Sequence, residues 1–283
     1  MTRNRRLTVN DPTPSLSTFL PLAVRGRRVV GRVRDEELTG WFTETAERVH
    51  VDDVSNILKR TGRRLVFRDG NVVVKVVFLG SLHRKRKWRR YGYMEAKTLH
   101  HAASLGLAVP RVLAQGRLRR WCDPLVASLL AIEFLADRST VSSQLAAAVD
   151  SGARRRVLDQ VAGILVELTR TGCFHVDVGP DNLFLPSPGC VGTGPAVIDL
   201  EYAEFVAPGQ VAQLVRQASR LVCYCRKDWP ELDYVGWFDG VLSMAREVCQ
   251  IDVSGRDLAR REFARGLEMD SFQCELPQLV RAA

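Results

Sequence analysis

The order of patterns along these 283 residues predicts an α+β fold in two lobes, a small β-rich lobe followed by a larger, mostly helical one. Three observations predict it. β-branched and apolar strand-like runs dominate the first half, 3.6-residue apolar periodicities dominate the second, and no internal repeat or low-complexity segment interrupts them. Residues 1–17, polar and proline-rich, are expected to be a tail. Residues 18–135 should form the small lobe, a β-sheet plus one helix, and residues 136–283 the larger, mostly helical lobe.

Within the small lobe, "RRLVFRDGNVVVKVVF" (63–78) places two strand-like runs around Asp69-Gly70, a strong hairpin signal. "YGYMEAKTLHHAASLGL" (91–107) carries apolar residues at helical spacing and stops at Gly106. "AVPRVLAQGRL" reads as a loop entering a strand, and "VASLLAIEFL" as a buried strand. In the large lobe Val157, Leu158, Val161, Ile164, Leu165 and Leu168 line one helix face that ends near Gly172. "NLFL" (182–185) and "PAVIDL" (195–200) read as short strands, followed by helical patterns at 209–226, 231–249 and about 256–268.

Composition narrows the function classes. With 46% hydrophobic and 26% charged residues the chain resembles an ordinary globular protein. Its longest apolar run, "LVASLLAIEFLA" (125–136), is too short to span a bilayer, which needs roughly 20 residues. No secretory signal pattern opens the chain, so a cytoplasmic location is expected. Seven cysteines without a C-x-x-C pair suggest reduced, buried thiols; the C-x-C at Cys223 and Cys225 is explained by a helix face. A net charge of +9 favours anionic partners, and "RKRKWRR" (84–90) concentrates it. One aromatic, Trp88, makes no stacking platform, which argues against nucleic acid.

"FHVDVGPDN" (174–182) places His175, Asp177 and Asn182 in the pattern H-x-D-x-x-x-x-N just beyond a helix end. Asp199 follows an apolar run, Lys75 sits inside "VVVKVVF", and Glu95 lies on the predicted helix. A lysine in an apolar strand needs anionic partners, because an unpaired buried charge is very costly. Glu95 and a nucleotide phosphate can supply them. Asn182 and Asp199 offer hard oxygen ligands for Mg²⁺, Asp177 can orient an attacking hydroxyl, and His175 braces the loop. The order Lys, Glu, Asp/Asn, Asp suits phosphoryl transfer from ATP.

On these motifs, over about residues 55–205, the chain resembles the protein-kinase-like superfamily. The resemblance implies a bilobal kinase-like fold, with "AIEFLADRSTV" as the hinge and Glu133, Phe134 and Leu135 offering backbone groups to adenine. There are departures. No G-x-G-x-x-G precedes Lys75, so "KRTGRR" (59–64) would have to cover the phosphates. Gly179 stands where protein kinases carry a lysine, and Leu200-Glu201 follow Asp199 in place of Phe-Gly. Residues 72–116 and "VIDLEYAEF" look most like the lipopolysaccharide core kinases, which phosphorylate heptose or Kdo sugars. That implies a sugar hydroxyl on a lipid-linked glycan as acceptor, and gives the basic run an anionic membrane face to dock on. Two alternatives stay open: a choline or aminoglycoside phosphotransferase, and a nucleotide-binding pseudokinase that regulates a partner.

Overall fold

The computed structural model describes residues 20–23, 29–86, 91–118, 126–190 and 193–268. The expected tail and residues 87–90 of the basic run lie outside these. The chain divides into two compact units, one built from residues up to 104 with 111–132, the other from 105–110 with 133 onward.

Among its described residues the first unit carries β1 (Leu20–Ala23), β2 (Val29–Val33), α1 (Leu38–His50), β3 (Ile57–Arg60), β4 (Arg64–Asp69), β5 (Val72–Phe78), α2 (Leu82–Arg86), α3 (Tyr93–Ser104), β6 (Val112–Leu118) and β7 (Ala127–Glu133). The strands form one sheet in the order β1-β2-β6-β7-β5-β4-β3. α1 packs on one face: Phe42, Ala46 and Val49 meet Val33, Phe67, Val74, Val76, Ala114 and Leu129 in a closed core. The one helix expected for this lobe is therefore joined by α1 and the short α2. α1 had a readable signature, since Leu38, Trp41, Phe42, Thr45, Ala46 and Val49 recur at helical spacing.

The hairpin joining β4 and β5 turns one residue later than the Asp69-Gly70 pair suggests. Asp69 stays in the ladder opposite Val72, and the two-residue loop is Gly70-Asn71, with Gly70 at φ +58°. Asp69 is kept there by its own bonds: its carboxylate accepts from Trp41 Nε1 at 3.0 Å and pairs with Arg48 at 3.4 Å. Gly70 supplies the positive φ that a tight hairpin demands.

The second unit begins with β8 (Arg138–Thr140), α4 (Val141–Ala147) and α5 (Ser151–Arg170). β9 (Cys173–Phe174), β10 (Leu183–Pro186), β11 (Ala196–Val197) and β12 (Glu204–Phe205) follow, then α6 (Val211–Asp228), α7 (Tyr234–Cys249) and α8 (Val253–Glu268). Asp150 caps α5, its carboxylate accepting from the Ala153 N–H at 2.6 Å, and Asp233 caps α7 in the same way at Gly236. The apolar face of α5 is buried as its periodicity predicts, and Trp237 Nε1 of α7 donates to the Leu158 carbonyl at 2.8 Å. Phe238 and Phe263 stack with ring centroids 4.0 Å apart, joining α7 to α8. "PAVIDL" is a strand only at Ala196–Val197; Asp199 adopts φ +58°, and residues 200–202 form a turn of 3-10 helix.

Candidate active site

One group of functional side chains belongs to the first unit. In β5 the burial alternates, with Val74 and Val76 turned into the core beneath α1, so Lys75 points to the opposite face. There Glu95, on the first turn of α3, receives it: Lys75 Nζ lies 2.5 Å from Glu95 Oε1. The Glu95 side chain is 4% exposed and that of Lys75 17%. The pairing expected from sequence is therefore present, in surroundings where either charge alone would be costly. Upstream, the turn between β3 and β4 is fixed by Thr61, whose Oγ1 accepts from the Arg63 and Arg64 N–H groups at 3.4 and 3.0 Å.

The second group lies in the larger unit, where Gly172 at φ +68° ends α5 and turns the chain into β9 and the loop beyond it. His175 is buried. The Asp177 N–H donates to its Nδ1 at 3.2 Å, so the ring proton sits on Nε2 and is donated to the Ile198 carbonyl at 3.0 Å. The neutral imidazole thus ties the loop to the segment leading into Asp199. Asn182 Nδ2 donates to the Asp177 carbonyl at 2.8 Å and reaches its Oδ2 at 3.4 Å. The antiparallel register of β10 and β11 continues through Ile198 N–H, which donates to the Asn182 carbonyl at 3.0 Å. That register brings Asn182 and Asp199 to the same end of one hairpin.

α6 provides a row of polar side chains that sequence reasoning missed. Gln213, Gln217, Arg220 and Tyr224, spaced by four, three and four residues, share one helix face. They engage the loop in chain order. Gln213 Nε2 donates to the Cys173 carbonyl at 2.8 Å, Gln217 Oε1 accepts from the His175 N–H at 2.9 Å, Arg220 donates to the Val176 carbonyl, and Tyr224 O–H donates to Asp177 Oδ1 at 3.0 Å. Burial, and next the bond to Asp177, push the Tyr224 phenol above its ordinary pKa, so it stays a donor at neutral pH. At Gly179 a Cβ would make ordinary contact with the Tyr224 ring at 3.6 Å, so packing alone does not demand the glycine there. The readable signal was a polar stripe on an otherwise apolar helix.

Burial pushes Cys173 and Cys225 up to about 12, which keeps both protonated, and Cys225 of the C-x-C pair is packed in the core of α6.

The lipopolysaccharide kinase (Kdo/WaaP) family matches residues 58–234, well over half of the chain. The chain belongs to that family. Its members are kinases, and this chain is one of them. Membership also accounts for the fold, which is similar to a solved structure of WaaP in complex with acyl carrier protein: TM-score 0.54, 17% identity, covering 84% of this chain and 99% of WaaP. A crystal structure of WbdD is similar at TM-score 0.48 and 19% identity, covering 76% of this chain and 46% of WbdD. No curated protein sequence matches the chain. Both the pattern H-x-D-x-x-x-x-N and Lys75 fall within the stretch that the Kdo/WaaP family matches.

Proposed function

We propose that this kinase transfers the γ-phosphoryl group of ATP, with Mg²⁺, to a sugar hydroxyl of the lipopolysaccharide core or a related lipid-linked glycan. The buried Lys75–Glu95 pair carries the reading, because a lysine held so by a carboxylate is preorganised for phosphate and loses no ordering entropy when it binds. In this reading Lys75 grips the α and β phosphates and Glu95 holds it in place. Backbone groups of Glu133, Phe134 and Leu135 take the adenine, and Arg63 and Arg64 screen the phosphates where other kinases use glycines.

The donor set fits a hard cation. Asn182 commits its amide nitrogen to Asp177, which leaves its oxygen to face another partner, and Asp199 holds a left-handed backbone that a strand would not give it. Asn182 and Asp199 would hold Mg²⁺, which would supply positive charge against the negative charge of the phosphates. Asp177 is exposed, with Tyr224 fixing one carboxylate oxygen and Asn182 the other, so it can receive the acceptor hydroxyl and take its proton.

Family membership favours the glycan over choline or an aminoglycoside, and the presence of Lys75, Asp177, Asn182 and Asp199 favours a catalyst over a pseudokinase. The deciding experiment combines calorimetry with a transfer assay. Asp177→Ala should bind MgATP as the wild type does while phosphate transfer to a core oligosaccharide falls by about 10²- to 10⁴-fold. Full turnover in that variant, or wild-type transfer to choline and aminoglycosides alone, would overturn the assignment.

A further inference from the structure

α3 divides one face of the small unit's sheet. On one side of the helix Glu95 reaches Lys75 on β5; next to it the Tyr91 carbonyl accepts from Ser128 Oγ of β7 at 2.7 Å. The helix also packs on part of β6, and beside it a cavity of about 400 Å³ remains over β2 and the rest of β6. The cavity belongs wholly to this unit, and its walls include Arg32, Tyr93, Gln115, Arg117 and Ser128.

Register explains why these side chains converge. Arg32 is paired with Gln115, and Arg117 with Ser128, and directly opposed residues of antiparallel strands point to the same face. Their neighbours Val33, Ala114 and Leu118 turn the other way into the core beneath α1. The open face therefore gathers two guanidinium groups, a phenol, a hydroxyl and a carboxamide, while no acidic side chain is among the described residues that line it. Gln115 is the second, independent observation. It is 6% exposed, and its Oε1 is buried with no hydrogen-bond partner among the described residues. Natural structures rarely leave such an acceptor unsatisfied, and a donor such as a ligand hydroxyl would satisfy it.

We propose that this recess is a second ligand site, distinct from the phosphate lysine, for a hydroxylated oxyanion of about one sugar unit. Arg32 pairs with its phosphate or carboxylate, as a guanidinium fork does, Arg117 adds positive charge beside it, and Gln115 accepts from one of its hydroxyls. The volume lies at the lower end of small-molecule sites, which suits a single sugar phosphate or sugar acid. Such a group arises either as a free metabolite or as the anionic decoration of a glycan chain. The inference stands whether or not the phosphotransfer reading does, because none of its residues belongs to that machinery.

The full chain labelled with ¹⁵N tests it, read at the amides of Gly31 and Gly116, which flank the recess. Glucose 6-phosphate, gluconate and inorganic phosphate are titrated separately. Saturable shifts are expected with one or both sugar anions, retained in Lys75→Met and at least tenfold weaker in Arg32→Glu, an exposed position where folding is safe. Arg117→Gln should weaken them too, and a methyl-rich spectrum of each variant checks its fold. The ligand that saturates first, phosphate ester or carboxylate, identifies the anion, and repeating the titration with a phosphorylated oligosaccharide separates a metabolite from a glycan decoration. Absence of shifts, loss of them in Lys75→Met, indifference to Arg32→Glu, or equal binding of plain phosphate would each overturn the proposal.

Discussion

Asp177 illustrates how a single side chain is made competent. It stands at the surface, yet both carboxylate oxygens are oriented, one by Tyr224 at 3.0 Å and one by Asn182 at 3.4 Å. A donor to an exposed carboxylate is worth about 1 kcal/mol, so Tyr224→Phe should lower kcat roughly five-fold. KM for MgATP should stay unchanged and the unfolding temperature should fall by no more than about 2–4 °C, because the ring still packs over Gly179. An unaltered kcat would show that the phenol does not hold the carboxylate. The Lys75–Glu95 contact was legible in the sequence, since it follows from strand alternation plus one helix turn, and the H-x-D-x-x-x-x-N spacing placed Asp177 and Asn182 in one loop, where they do meet. Tyr224 was not legible, since its partner lies 47 residues away and only the fold relates them.

At the scale of elements, α6 works as a ruler against the loop that leads to Asp177. Three of its polar side chains meet backbone groups of residues 173, 175 and 176, and the fourth meets Asp177 itself. Gln217 is fully buried, so Gln217→Leu leaves the His175 N–H without a partner and should cost about 1–3 kcal/mol in chemical denaturation. Turnover should fall alongside it, while a variant of equal stability loss in α8 would spare kcat. Helix and strand existence was largely readable from periodicity. The end of β11 was not, because the left-handed Asp199 is imposed by the hairpin and the turn that follows it, whereas the local apolar run argues for extended chain. α3 adds a pH effect. Burial, then the nearby Arg34 charge, holds the His100 imidazole below its ordinary pKa. The unfolded chain therefore binds that proton first on acidification, and the stability His100 contributes is complete above the ordinary imidazole value of about 6.5 and is lost as pH falls toward the depressed one. The urea midpoint should drop between about pH 7.5 and 5.5, and His100→Gln should flatten that drop; an equal slope in both proteins would exclude His100 as its source.

For the whole molecule the proposed function raises the question of how a chain with net charge +9 would meet a lipid-linked acceptor. Among the described residues no helix is long and apolar enough to cross a membrane. α2 offers the means: Leu82 is 77% exposed, and Arg84, Lys85 and Arg86 follow it in one basic turn. Each cation near an anionic surface contributes about 1 kcal/mol, so changing these three to glutamine should weaken partitioning onto phosphatidylglycerol vesicles roughly a hundred-fold. Because the attraction is screened within about 10 Å at ordinary ionic strength, raising salt to about 0.5 M should release the wild type as well. Leu82→Ser, which changes no charge, should reduce flotation without altering its salt dependence, which separates apolar insertion from charge. Flotation of the triple variant equal to the wild type, or wild-type flotation on neutral vesicles, would rule out this face as the dock and leave the glycan to be reached by diffusion alone.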